Sequence, residues 1–254
     1  MADARALGDA LAALGVRRGG TLLAHSSLSG SGLRAADVRD ALLGALGPDG
    51  TLVVPAFTPE NSTTSTAHLE RVAGLTEREA AAFRAAMPPF DPATTPCPSM
   101  GVLAERVRTT PGAVRSGHPQ TSFAALGPRA AELMDGHHPH CHLGERSPLA
   151  RLYEADAQVL LLRVGFAACS AFHLAEYRGD PPPPRRAYHC VVGTAGNWVT
   201  YEDLALDDGD FAEIGAALPP ERLATAELAG RPVTLVGLRD AVDHARDAMT
   251  GIRR

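Results

Sequence analysis

Gln158-Val-Leu-Leu-Leu-Arg163-Val-Gly-Phe-Ala-Ala-Cys169-Ser170-Ala-Phe-His173-Leu-Ala-Glu176 is the stretch that decides how this chain folds. Five of the six residues 159–164 are apolar and Arg163 is the exception, a pattern that predicts a strand buried on most of its surface. Small residues follow, then a helix that carries His173 and that the proline run 181–184 closes. His173 therefore falls near a helix start, beyond the C-terminal end of a strand, where open α/β sheets bind their ligands. Glu176 lies three residues on, on the same helical face, and offers the imidazole a carboxylate. Taken alone, these residues leave a satisfied structural histidine and a working one both open.

The rest of the chain sets bounds on what surrounds this stretch. With 254 residues and 45% hydrophobic content it can bury a full core. No run reaches the about 18–20 apolar residues of a membrane span, and the opening Met-Ala-Asp-Ala-Arg-Ala-Leu lacks the apolar core of a signal peptide. The expectation is a cytoplasmic protein with no membrane partner, a monomer or a homodimer. Cys97, Cys141, Cys169 and Cys190 are scattered without a CxxC pair, as befits reduced and mostly buried thiols. A net charge of −5 argues against nucleic acid and permits a cationic substrate. Every basic side chain is arginine, which excludes a Walker lysine, a Schiff-base lysine and a kinase strand lysine together.

Periodicity predicts helices at 3–14, 35–46, 77–86, 101–108, 148–154 and 238–249, and strands at 21–24, 51–57, 122–126 and 233–236. The strand–loop–helix–strand unit from 21 to 57 implies parallel strands joined by a right-handed crossover. Residues 187–192 and 197–201 flank Gly193-Thr-Ala-Gly196 as a hairpin. The fold expected is one α/β domain over residues 1–254. It has a mostly parallel central sheet flanked by helices, an inserted flap at about 58–98 and a C-terminal hairpin-helix elaboration.

Two loops suit an anion: His25-Ser26-Ser27-Leu28-Ser29-Gly30-Ser31-Gly32, rich in small hydroxyls, and Arg115-Ser116 with Ser122-Phe123, which supplies a cation. Each is as ordinary as a plain turn or a loop-pinning arginine. The tract His137-His138-Pro139-His140-Cys141-His142 looks metal-binding, but one short loop with a central proline does not readily aim four ligands at a tetrahedral ion. A structural or lid role without metal is the reading preferred.

In order along the chain, Leu-Leu-Ala-His25-Ser26-Ser27-Leu, Gly50-Thr-Leu-Val-Val-Pro55-Ala-Phe-Thr, Met100-Gly101-Val-Leu-Ala-Glu105-Arg-Val-Arg108, Arg115-Ser116-Gly-His118-Pro119, Ser147-Pro148-Leu-Ala-Arg-Leu-Tyr153 and His173-Leu-Ala-Glu176 together resemble the aminoglycoside 3-N-acetyltransferase family. The resemblance runs from about residue 5 to beyond 240. It implies transfer of the acetyl group of acetyl-CoA to the 3-amino group of a 2-deoxystreptamine aminoglycoside, for example of the gentamicin class, which inactivates the antibiotic. It further implies a general base in His173, with Asp203 as its charged partner or as a substrate ligand and Glu176 in support. Coenzyme A would be lined by His25, Ser26, Ser27, Leu28, Arg115, Ser116, Ser122 and Phe123. Glu60, Asn61 and residues 77–84 in the flap are the candidates for acceptor recognition, with carboxylates meeting ammonium groups, together with Asp203.

The chain departs from the family pattern twice: Arg163 replaces a common glycine, and Cys169-Ser170 stands where Asn-Thr is frequent. Rival readings are a same-fold acetyltransferase for another amine, a non-catalytic binding protein, or a metal-dependent hydrolase using the histidine tract.

Overall fold

In the computed structural model, residues 4–253 are described. The elements run α1 Ala4–Leu14, β1 Thr21–Ser26, α2 Ala35–Leu46, β2 Thr51–Pro55, α3 Thr66–Val72, α4 Glu77–Ala86, α5 Gly101–Arg108, β3 Val114–Arg115, β4 Phe123–Leu126, α6 Ala130–Met134, α7 Pro148–Glu154, β5 Gln158–Leu162, α8 Phe172–Arg178, β6 Arg185–Val191, β7 Trp198–Leu204, α9 Phe211–Ala216, β8 Leu223–Leu228, β9 Arg231–Gly237 and α10 Leu238–Ile252. Residue 3, the expected start of the first helix, lies outside the described residues. No helix among them is long and apolar enough to cross a membrane.

Local chemistry explains several boundaries. Thr76 and Glu79 form a reciprocal capping box at α4. Ser147 Oγ accepts the Leu149 N–H at 3.2 Å, with Pro148 in the first turn of α7. Ala229 and Gly230 both adopt positive φ, the requirement of the two-residue turn that joins β8 to β9.

Seven strands form one sheet in the order β3-β4-β2-β1-β5-β9-β8, and β6 and β7 form a separate hairpin. Only β1 with β2 and β1 with β5 pair in parallel, whereas β2–β4, β3–β4, β5–β9 and β8–β9 are antiparallel. The sheet is therefore mixed rather than mostly parallel. The helical crossovers at its centre allow parallel pairing, and β4 and β9 each arrive with a hairpin neighbour that reverses the chain. Strand alternation then sorts the side chains. Leu22, Leu52, Leu160 and Leu162 pack with α1, α2 and α5, while Leu23, Val53, Val159 and Leu161 pack with α6 to α10 on the other face.

The segment 58–98 folds against the β6–β7 hairpin. Asn61 Nδ2 donates to the Val191 carbonyl at 3.2 Å and the Trp198 indole donates to the Arg84 carbonyl at 3.1 Å. All four cysteines are free and buried.

Candidate active site

The three strands of the parallel centre all end at one edge, and a cleft of about 280 Å³ opens there. Its walls are Ala24 to Ser26 from β1, Val54 and Pro55 from β2, Val164 to Ser170 beyond β5 in part, and Ser99, Met100, His173, Asp208 and Phe211. A second hollow of about 530 Å³, lined by Ser26 to Ser29 and by Ser99 to Val102 at the start of α5, shares Ser26, Ser99 and Met100 with it. The first N–H groups of α5 have no intrahelical acceptor, so this hollow suits an anion.

His173 stands near the N-terminal end of α8 with its side chain 14% exposed, tilted against Phe211 at 4.7 Å between ring centres. Its Nδ1 donates to Glu176 Oε2 at 2.6 Å, the contact expected of residues three apart on one helix face. This fixes the tautomer and leaves Nε2 as the nitrogen available for chemistry. Glu176 is 1% exposed, so its carboxylate acts across a medium that screens poorly.

His25 also lines the cleft. Its Nε2 accepts the Ser170 N–H at 3.1 Å and lies 2.8 Å from Ser170 Oγ, which places the ring proton on Nδ1, where it has no partner among the described residues. Burial, with a smaller contribution from His173, lowers its pKa to about 3 and keeps the ring neutral. Burial likewise pushes the Cys169 thiol up to about 12, so it is held as a thiol rather than as a nucleophilic thiolate.

Of the residues expected to line coenzyme A, the structure brings His25, Ser26, Ser27 and Leu28 to the two hollows and places Arg115, Ser116, Ser122 and Phe123 elsewhere. The Arg115 guanidinium donates to the Thr95 and Ala56 carbonyls and to Ser122 Oγ and lies over Phe90, and its burial lowers its pKa to about 10. Ser116 accepts the Phe123 N–H at 2.9 Å and meets His137 Nδ1 at 3.0 Å, and Ser122 and Phe123 are fully buried. This arginine pins loops.

Asn61 is likewise committed: its amide bridges the Pro119 and Val191 backbones and it is buried. Glu60 accepts from the cleft residue Ser99 at 2.6 Å and so reaches the rim.

Asp203 does not meet His173. Its Oδ2 accepts from the His142 N–H at 2.7 Å, His142 Nδ1 at 2.9 Å and the Tyr177 hydroxyl at 2.6 Å, and its Oδ1 accepts from Leu204 N–H at 2.8 Å. Burial works against the Asp203 charge, but these hydrogen bonds outweigh it and hold the carboxyl below its usual range.

His137 Nε2 is engaged by the carbonyls of Cys141 and His142, and His142 Nε2 by Gln120 and Tyr201, so the inner histidines of the tract fasten a buried loop. Among the described residues no group of three or more His, Cys, Asp or Glu side chains is placed to hold a metal ion. Asp203→Asn is expected to cost about 3 kcal/mol in urea denaturation, because it leaves buried donors facing an amide. The kcat per folded molecule should stay within about threefold of wild type. A collapse of kcat at unchanged stability would return Asp203 to the chemistry.

Sequence reasoning also passed over Arg163, read there only as a departure from a glycine. It sits at φ +61°, which accounts for the glycine in the pattern. Its buried guanidinium donates to the carbonyls of Ser27, Ser29, Leu228 and Ala229, tying the 27–29 loop to the β8–β9 turn. Those charge-assisted bonds offset the backbone cost. The signal available was an arginine inside an apolar run.

The profile of the family described as aminoglycoside 3-N-acetyltransferase matches residues 23–250. The chain is similar to the crystal structure of the YokD protein from Bacillus subtilis, at 30% identity and a TM-score of 0.89, covering 99% of this chain and 100% of that one. It is similar to AAC-IIIb in a binary complex with coenzyme A, at 28% identity and a TM-score of 0.83, with 99% and 97% covered. A third likeness is to a histidine-to-alanine mutant of the aminoglycoside acetyltransferase AAC(3)-IVa in complex with a gentamicin, at 32% identity and a TM-score of 0.75, with 96% and 86% covered.

Proposed function

The chain belongs to the aminoglycoside 3-N-acetyltransferase family, and from that premise we propose that it transfers the acetyl group of acetyl-CoA to the 3-amino group of a 2-deoxystreptamine aminoglycoside. The observation that carries this reading is the His173–Glu176 pair, which faces a cleft continuous with an anion-suited hollow. Coenzyme A lies along Ser26 to Leu28 and the start of α5, with its thioester toward His173. The acceptor nitrogen attacks the thioester carbonyl carbon, its proton passes to His173 Nε2, and the C–S bond breaks to release the coenzyme A thiolate, which takes up a proton. Transfer is direct within a ternary complex, since Cys169 is held as a buried thiol. Imidazole, with its ordinary pKa near 6.5, suits removal of a proton from an amine close to neutrality.

A second reading, a same-fold acetyltransferase for a less cationic amine, is favoured by one observation. Asp208 is the only carboxylate among the described residues that line the cleft itself. The two readings separate in an assay of thiol release from acetyl-CoA with gentamicin, sisomicin and simple monoamines. For a polycationic acceptor KM rises with salt, as attractions are screened over about 8–10 Å at 0.10–0.15 M. Turnover confined to monoamines, with a salt-independent KM, would replace the first reading by the second.

A further inference from the structure

The carboxylate that orients His173 has a second side. Glu176 Oε1 accepts from Arg253 Nη1 at 2.6 Å and from the Asp207 N–H at 2.9 Å. Arg253 follows the last turn of α10, and three of its four remaining N–H donors are also committed: Nε and Nη2 to the two oxygens of Asp210, each at 2.6 Å, and Nη2 to the Asp207 carbonyl at 2.6 Å. One guanidinium thus joins α8, the 207–210 loop that leads into α9, and the end of α10. Hydrogen bonding to Asp210 raises the Arg253 pKa, and the same bonds hold the Asp210 carboxyl below its usual range.

The arrangement has an electrostatic consequence. A fully buried carboxylate against an imidazole, with no cation behind it, stabilises the imidazolium and so depletes the neutral form that a base needs. The charged and titratable groups around the pair are Glu176 on α8, Arg253 after α10, Asp207, Asp208 and Asp210 ahead of α9, His25 on β1 and His142 in the buried histidine loop. With Arg253 in place, Glu176 and Asp210 leave one net negative charge behind the imidazole. Without it they leave two, and Glu176 Oε1 keeps only the Asp207 N–H.

We infer that Arg253 is a positioning residue for the transfer site: it locks the Glu176 carboxylate in the orientation that holds His173 and offsets the charge that would otherwise retain a proton on the imidazole. This rests on the reading of His173 as the base. A cavity of about 630 Å³, lined by Glu176, Asp207, Arg253, Met249 and the prolines 181–184, shares no lining residue with the cleft. It gives a small cation a route to Glu176 that avoids the substrates.

The test uses the full chain with Arg253→Ala, Arg253→Lys and, should the alanine variant fail to fold, Arg253→Gln. In Arg253→Ala the kcat for acetyl transfer near pH 7 is expected to fall about tenfold, with KM for acetyl-CoA within about twofold. Guanidinium at tens of millimolar restores most of the loss, Arg253→Lys retains part of the activity, and the acid limb of the kcat profile moves to higher pH. Independently of any acceptor, the ¹⁵N resonances of His173 in histidine-labelled protein should titrate at higher pH in Arg253→Ala, by about 0.5–1 unit. Guanidinium should move them back.

Absence of acetyl transfer by the wild-type protein would sink the functional reading alone, because the histidine titration still decides the role of Arg253. A folded Arg253→Ala or Arg253→Gln protein with an unmoved His173 titration overturns the inference. So does a fall in kcat that guanidinium leaves unrepaired while the titration stays put, since that is the mark of mere structural support.

Discussion

His173→Ala is expected to lower the kcat of acetyl transfer by about 10²–10⁴-fold and to leave KM for acetyl-CoA within about threefold. The reasoning is geometric. Nδ1 is bound to Glu176 at 2.6 Å, so Nε2 is the nitrogen that can take the acceptor's proton. The coenzyme hollow is built from Ser26 to Ser29 and Ser99 to Val102, which the substitution does not touch. His25, the other imidazole that lines the cleft among the described residues, and His118, which lies outside it, are poor substitutes. His25 is held neutral with a pKa of about 3, and His118 is lowered well below the ordinary value by burial and by the neighbouring histidines. Glu176→Gln should cost a smaller factor. The double variant His173→Ala/Glu176→Gln should be little worse than His173→Ala, because the pair acts as one unit. Steady-state kinetics of the purified variants settles the matter: near-wild-type turnover in His173→Ala, or fully multiplicative losses in the double variant, would mean that the proton leaves by another route.

Stability is expected to fall by on the order of 4 kcal/mol between pH 7.5 and pH 5, before the carboxylates titrate. The cause lies in buried imidazoles: His25 and His137 account for that amount, and His118 and His142, also lowered chiefly by burial, add to it. His25 is lowered from 6.5 to about 3 and His137 from 6.5 to about 4, in both cases chiefly by burial. Their folded-state pKa values are below the unfolded ones, so the unfolded chain binds more protons between those values. Stability therefore rises with pH across the window from about 3–4 to 6.5 and is lost as pH falls through it. By pH 5 each ring has cost about 2 kcal/mol, at roughly 1.36 kcal/mol for each pH unit below the unfolded value. Asp203 adds to the loss only at lower pH, since its depressed carboxyl stabilises the fold above the unfolded pKa and is lost as pH falls through the folded one. Urea denaturation at pH 7.5, 6 and 5 measures the slope. A flat profile would show that these rings reach solvent or bind protons in the folded state. His137→Gln or His25→Gln, each read for its own share of the slope, would identify which ring is responsible.

The amino-acid sequence alone determined whatever is governed by neighbours along the chain. The helices 35–46, 77–86, 101–108 and 148–154 have the bounds that periodicity and capping chemistry gave them, because Leu42 and Leu46, Thr76 with Glu79, and Ser147 with Pro148 act within one or two turns. The parallel pairing of β1 with β2 followed from the helical crossover between them. The contact of His173 with Glu176 was legible for the same reason, as a three-residue spacing on one helix. Only the tertiary structure decided which distant groups meet. The antiparallel flanks depend on the short strands 114–115 and 223–228, whose few residues carry little pattern of their own. An aspartate at 203 is within reach of either His142 or His173 as far as spacing goes, and packing of the β6–β7 hairpin chose His142. Whether an arginine holds a ligand or a carbonyl depends on where its guanidinium is buried, which no local pattern encodes. Arg115 and Arg163 ended on backbone oxygens, and Arg253 ended on the carboxylate behind His173. A charge removed from water must find its partners wherever the fold supplies them, and in this chain those partners lie scores of residues away.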